Sequence, residues 1–312
     1  MKEPNTPLVS IITATYNRSN VLKYAIKSVL ASTFTDWEMI IVSDASIDDT
    51  AEVVRSFDDP RIRFFELEQN IGVQSGPNNE GLKHARGRYV AYLNHDDLWF
   101  PEHLELLVRR IEETQADWVF SMVMDIKDSE TVEVYGIFPN SNYSPYYGYV
   151  QVSSWLVKKE VIDELGGWRM SWDILVAPSQ DLLIRAYKKK KIIVMSPYAT
   201  VILIHSGYRK DCYAKRESNE NEYYYEKILN DPGLKAELLK KGIISLYTKR
   251  INESYKIRHS FNRFLVAITI SLGKMVNINP VTLSAFLKYR RKGRYINELR
   301  KIRGLEPIKR KK

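Results

Sequence analysis

The chain has 312 residues, 44% of them hydrophobic, which is enough to fill the core of a globular protein of one large or two ordinary domains. A single cysteine, Cys212, excludes an intramolecular disulfide and a multi-cysteine zinc site, and the opening "MKEPNTPLVSII" has no charged-then-apolar leader, so a cytosolic, reducing setting is expected. The formal charge of +9 sits at one end: residues 274–312 hold thirteen Lys or Arg against Glu298 and Glu306, a net of +11, leaving residues 1–273 at −2.

The apolar, β-branched run 8–16 predicts a strand buried on both faces, and 19–32 places Val21, Leu22, Ala25, Val29 and Leu30 at helical spacing behind a Ser19 or Asn20 cap. The unit recurs. Strand 37–43 precedes helix 48–57, strand 62–67 precedes helix 73–85, strand 88–93 precedes helix 101–113, and 117–124 adds a fifth strand. Strands alternating with helices predict a mostly parallel sheet flanked by helices on both faces. Residues 125–150 are turn-rich and aromatic, a loop expected to lie across the site; 152–168 and 178–207 supply short helices and further strands, and from Tyr213 onward the pattern is helical.

In such sheets ligands bind beyond the carboxyl ends of the strands. Thr13, Thr15, Tyr16, Asn17 and Arg18 end the first strand, Asp44, Ser46, Asp48 and Asp49 follow the second, and Asn94, His95, Asp96 and Asp97 follow the fourth, all on one rim. Paired carboxylates there serve a hard divalent cation, acid–base chemistry or the capping of the next helix. Mg²⁺ and Mn²⁺ take oxygen ligands and are commonly held by one or two carboxylates with a substrate's phosphates, so the rim suggests a metal–diphosphate complex. No glycine-rich phosphate loop follows the first strand, where "TATYNRSN" stands, which argues against a dinucleotide enzyme or an NTP hydrolase.

The segments "VSIITATYNR", "IIVSDASIDDTAEVV", "NIGVQSGPNNEGLKHARGRYVAYLNHDD" and "GGW…SQDLLIRA", in that order, resemble the signatures of family-2 glycosyltransferases over roughly residues 7–210. The resemblance implies a GT-A fold, an α/β Rossmann-like sheet, and an inverting, metal-dependent hexosyltransferase that takes a nucleotide-sugar donor, a UDP-sugar above all. Its acceptor would be a polysaccharide or lipid-linked glycan in cell-surface polysaccharide biosynthesis. It also implies roles. Thr13, Thr15, Tyr16 and Arg18 would wall the nucleoside, Asp44 would accept the N–H of the base, and Asn79 would belong to the donor site. The DXD-type motif falls on Asn94-His95-Asp96, so that Asn94 would meet the ribose and Asp96 would ligate Mg²⁺ or Mn²⁺, with His205 as a further metal or diphosphate ligand and Asp97 in support. Asp181 would be the general base, although an acid in the first turn of a helix also suits the helix dipole. Arg209 and Lys210 would balance charge on the leaving diphosphate. Two positions depart from the pattern: Asn94 replaces an acid and Asn78 an arginine.

These readings divide the chain into a catalytic domain, 1–212, with a nucleotide-binding half (1–124) and an acceptor-side half (125–212), and a basic helical extension, 213–312. The apolar stretch 264–272 is too short to span a bilayer. With the cations after it, the extension suits an anionic lipid surface, which would make the protein cytoplasmic and peripheral on the inner face of the membrane, or it packs on the catalytic domain or a second subunit. No nucleic-acid-binding module is recognised. The other class of function open to this sequence is a non-catalytic, nucleotide-binding or scaffolding descendant of the same fold.

Overall fold

A computed structural model describes residues 6–204, 209–254, 271 and 280–308. Its frame is a nine-stranded sheet in the order β3-β2-β1-β4-β8-β6-β9-β5, with β7 hydrogen-bonded to β6 off that path. The strands are β1 (Val9–Thr15), β2 (Trp37–Ser43), β3 (Ile62–Glu66), β4 (Tyr89–Tyr92), β5 (Leu98–Trp99), β6 (Trp118–Ile126), β7 (Val132–Tyr135), β8 (Trp155–Lys158) and β9 (Ile193–Ile204). β1, β2, β3, β4, β6 and β9 run one way, while β8, inserted between β4 and β6, and the short β5 and β7 run against them. The expected mostly parallel sheet is therefore present, with three antiparallel strands added, β5 between β4 and the next helix and β7 and β8 beyond β6 in the chain.

Period-two alternation builds both layers. On β1, Val9 and Ile11 face a core shared with Leu22 and Ile26 of α1 (Ser19–Leu30) and Leu104 and Leu107 of α4 (His103–Thr114). Ile12 faces the opposite core, with Trp118, Trp155, Trp168 and the apolar face of α6 (Pro178–Lys188). On that second side, α3 (Ser75–His84) lies directly on β1: a Cβ on Gly81 would stand 2.6 Å from Ile12 Cγ2, so only glycine allows the approach. The shorter helices are α2 (Thr50–Arg55) and α5 (Lys159–Glu164). Trp99 and Trp168 are core residues whose indole N–H groups donate to Ser153 O and Tyr92 Oη.

The C-terminal part is helical as expected: α7 (Cys212–Lys215), α8 (Asn219–Asn230), α9 (Leu234–Ser254), α10 (Pro280–Tyr289) and α11 (Arg294–Ile302). It is not an appendage throughout. Tyr224, Leu234 and Leu238 join a core with Leu98, Met124 and Ile202, and α11 returns to the rim of the sheet, where Leu299 is buried. The apolar stretch 264–272 lies outside the described residues except for Ser271. No helix among the described residues is long and apolar enough to cross a membrane.

Candidate active site

The carboxyl ends of β1, β2 and β4 converge on one crevice, lined among others by Thr15, Tyr16, Arg18, Asp44, Asn94, His95 and Asp96. The chain leaves β1 through Asn17, in the left-handed region at φ 48, which turns Arg18 inward. Arg18 is almost fully buried; its Nη1 donates to Cys212 O at 3.1 Å, and its guanidinium lies 5.4 Å from the ring centre of Tyr213. Thr15 lines the crevice, whereas Thr13, two residues earlier in the same strand, is fully enclosed beneath it and does not. Thr13 thus lies on the same strand face as Thr15 but deeper, and does not line the crevice.

Asp44 follows β2 and holds the facing loop: its Oδ1 accepts from the backbone N–H of Ile71 at 2.7 Å and its Oδ2 from that of Gly72 at 2.8 Å. Burial pushes its carboxyl up, and the two N–H groups and the positive charge of Arg300 oppose that shift. The later acids of the same element are used elsewhere. Asp48 accepts from Ser19 N–H and pairs with Arg216 at 3.1 Å, while Asp49 accepts from the Ser19 hydroxyl, so both tie α1 and the residue after α7 to the start of α2.

The turn after β4 separates its two carboxylates. Asp96 lines the crevice, and its backbone carbonyl accepts from Asn221 Nδ2 of α8 at 2.8 Å. Asp97 is fully buried, where its Oδ2 accepts from the Ser153 hydroxyl and from Asn94 Nδ2 at 2.9 Å. Burial first, then the charge of Asp96, raises the Asp97 carboxyl well above the usual carboxylate range; the hydrogen bonds from Ser153 and Asn94 act against this. His95 Nδ1 lies 3.2 Å from Ala14 O, which only accepts, so Nδ1 carries the proton there. Burial lowers the His95 pKa and favours the neutral ring.

Other expected site residues fall outside the crevice. Asn79 is committed to the loop before α6: its Nδ2 donates to Trp168 O at 2.9 Å and its Oδ1 accepts Trp168 N–H at 2.8 Å. It holds that loop on α3 and does not line the crevice. Asp181 stands in the first turn of α6, two residues after Ser179, which lines the crevice; its carboxylate accepts from Arg185 Nε at 2.7 Å and lies 3.7 Å from Arg169. Arg209 is paired with Glu220 at 2.5 Å, and neither it nor Lys210 lines the crevice. His205 lies outside the described residues. Among those described, no three His, Cys, Asp or Glu side chains group to hold a metal ion; of the two carboxylates that line the crevice, Asp44 is engaged by the Ile71 and Gly72 N–H groups, which leaves Asp96, beside the Asn94 amide, as the acid for a cation. That set suits Mg²⁺ or Mn²⁺ only in the mode where phosphates supply much of the coordination.

Lining residues absent from the sequence expectations include Tyr213, Arg300 and Arg303. The signal for the two arginines was present, a helical stripe of Tyr295, Ile296, Leu299, Arg300 and Arg303, but one sequence does not say what an amphipathic stripe packs against.

The family model described as glycosyl transferase family 2 matches residues 10–163, from the first residues of β1 to α5. Residues 10–163 are a glycosyl transferase family 2 domain. Two similar proteins of Escherichia coli are each named UDP-Glc:alpha-D-GlcNAc-diphosphoundecaprenol beta-1,3-glucosyltransferase. WfgD is 33% identical over 125 residues, 40% of this chain and 49% of that one. WfaP is 27% identical over 259 residues, 82% of this chain and 96% of that one. Several of the most similar curated relatives, WfgD included, are thus matched over about half their length. Among solved structures, S. aureus TarS 1–349 in complex with UDP-GlcNAc superposes with a TM-score of 0.56 at 18% identity, over 95% of this chain and 90% of that one, which extends the likeness in fold beyond the family-2 domain to the helical C-terminal part.

Proposed function

We propose that the protein is an inverting glycosyltransferase that transfers a sugar from a UDP-sugar to a lipid-linked or polysaccharide acceptor in cell-surface polysaccharide biosynthesis. The observation that carries this reading is the meeting of Asp44 and Asp96, from different strands, in one crevice beside Thr15, Tyr16 and Arg18. The named activities of WfgD and WfaP, on a diphosphoundecaprenol-linked sugar, and the UDP-GlcNAc complex of TarS support the donor and acceptor classes.

In this reading Tyr16 and Thr15 wall the nucleoside, and Asp44, already organising the 71–72 loop, keeps lone pairs for the uracil N–H. Asp96 would hold Mg²⁺ or Mn²⁺, and the ion would supply charge neutralisation of the leaving UDP. The acceptor hydroxyl attacks the anomeric carbon opposite the diphosphate, and Asp181 takes its proton on Oδ1, the oxygen that Arg185 does not hold. The exposed cations Lys288, Arg290, Arg291, Lys292 and Arg294 give the chain a surface for anionic lipid at the cytoplasmic face, where a lipid-linked acceptor sits.

The test is release of UDP from a panel of UDP-sugars in the presence of a diphosphoundecaprenol-linked sugar, with and without Mn²⁺. Turnover that falls by about 10²-fold or more in Asp181→Asn, with UDP affinity unchanged, is expected. A nucleotide-binding scaffold is the second reading, favoured by Asn94 in the metal motif and by the Asp181–Arg185 pair; UDP binding with no turnover on any donor would establish it.

A further inference from the structure

α11 lies at the end of the chain, yet it forms a wall of the same crevice. Tyr295, Ile296, Leu299, Arg300 and Arg303 fall on one helical face, and all five line it, while Glu298, Lys301 and Ile302 are exposed on the other. The helix is fixed in place at several points. Arg300 Nη1 donates to Gly72 O at 2.8 Å, Asp211 N–H donates to Ile302 O at 3.0 Å, and Gly293 N–H donates to Ile174 O at 3.2 Å. Gly72 sits at φ +79, and a Cβ there would stand 2.9 Å from Arg300 Nη1, so the loop held by Asp44 and the helix carrying Arg300 are fitted to each other.

The charges of this wall point to its ligand. Arg18, Arg300 and Arg303 meet Asp44 and Asp96 in the lining, three guanidiniums against two carboxylates. Arg300 is half-buried; burial lowers its pKa and the neighbouring positive charge of Arg303 acts in the same direction, while Asp44 acts against both, so burial carries a cost for the Arg300 cation. An anion in the crevice removes that cost. Three features leave a diphosphate in need of side-chain cations here: no glycine-rich loop follows β1, Asn94 replaces an acid, and Arg209 is paired with Glu220.

We propose that α11 is part of the donor site and that Arg300 and Arg303, with Arg18, form the subsite for the diphosphate of the sugar nucleotide. The inference rests on the reading of the crevice as a nucleotide-sugar site. Planar guanidiniums suit the bidentate oxygens of phosphate, and Gly72 joins the Asp44 loop to Arg300, so base and diphosphate are recognised by neighbouring parts of one wall.

Calorimetric titration of the full chain with UDP and with uridine tests it. Wild type is expected to bind UDP well above uridine; failure to bind either sinks the crevice reading itself. Given that binding, Arg300→Ala and Arg303→Ala are each expected to lower UDP affinity by about 10-fold or more and uridine affinity by less than about 3-fold, because a charge-assisted hydrogen bond to phosphate is lost and no base contact is. An unchanged UDP-to-uridine ratio, whether both affinities hold or both fall alike, overturns the proposal. Tighter UDP binding in the variants overturns it too, as it makes the helix an obstruction. Where an alanine variant does not fold, Arg300→Gln, which keeps a donor toward Gly72 O, and Arg303→Gln give the same ratio with the same two outcomes.

Discussion

Asp96 and Asp97 meet opposite surroundings because the turn after β4 sends successive side chains to opposite sides: one carboxylate lines the crevice and the other is enclosed against Ser153 and Asn94. Residue type alone did not separate them, and the same holds for Thr13 and Thr15, which share a strand face but differ in depth. Asp44 joins two tasks in one side chain, fixing the Ile71 and Gly72 amides and facing the crevice, so its loss has a different signature from loss of the arginines. In Asp44→Ala the 71–72 loop loses both acceptors, and affinity for UDP and uridine is expected to fall together by about 10-fold or more, since each charge-assisted bond contributes about 1.5–3 kcal/mol. Titration with both ligands checks this; a fall for UDP alone would contradict it.

The elements were legible where local pattern decides the outcome. β1, β2 and β4 are β-branched or aromatic runs buried on both faces, and helices of 3.6-residue periodicity separate them, so the order of the first half follows from the chain itself. β8 was not legible as an antiparallel insertion between β4 and β6, because its four residues read alike in either direction and the pairing is set by distant partners. The sequence leaves the extension that holds α11 open between a lipid surface and packing on the catalytic domain or a second subunit, because an apolar stripe edged by cations suits each; the packing partner of α11 lies more than two hundred residues away, at Gly72. α3 offers a direct test of how tightly an element is seated. Gly81→Ala gains helix propensity of about 1 kcal/mol but drives a Cβ to 2.6 Å from Ile12, and overpacking of this kind costs about 1–3 kcal/mol. Urea denaturation is expected to show a net loss of stability, and a stabilised variant would show that α3 shifts freely on β1.

At the scale of the whole molecule, one buried histidine ties stability to pH. His103, at the start of α4, is fully buried, stacks on Trp99 with ring centres 4.3 Å apart and lies with Nδ1 2.7 Å from Thr200 Oγ1. Burial lowers its pKa to about 3. A neutral ring in the fold and a chargeable one in the unfolded chain stabilise the protein above about pH 6.5, and that contribution is lost as pH falls from there toward 3, at about 1.4 kcal/mol per unit. Glu38, lowered by its Arg86, Ser10 and Arg63 partners against burial, acts only at lower pH, and Asp97, raised, acts with the opposite sign. Comparing wild type with His103→Gln therefore isolates the histidine: from pH 7 to 5 the wild type is expected to lose about 2 kcal/mol more than the variant in urea unfolding. Equal losses would assign the acid sensitivity elsewhere.

The central claim, that carboxylates from two strands make one site for a sugar nucleotide, is tested most directly by calorimetric titration with UDP, with and without Mn²⁺, on wild type and Asp96→Ala. UDP binding strengthened by Mn²⁺ in the wild type, with that strengthening lost in Asp96→Ala while metal-free binding persists, is the result this account predicts. Equal strengthening by Mn²⁺ in both proteins would contradict it.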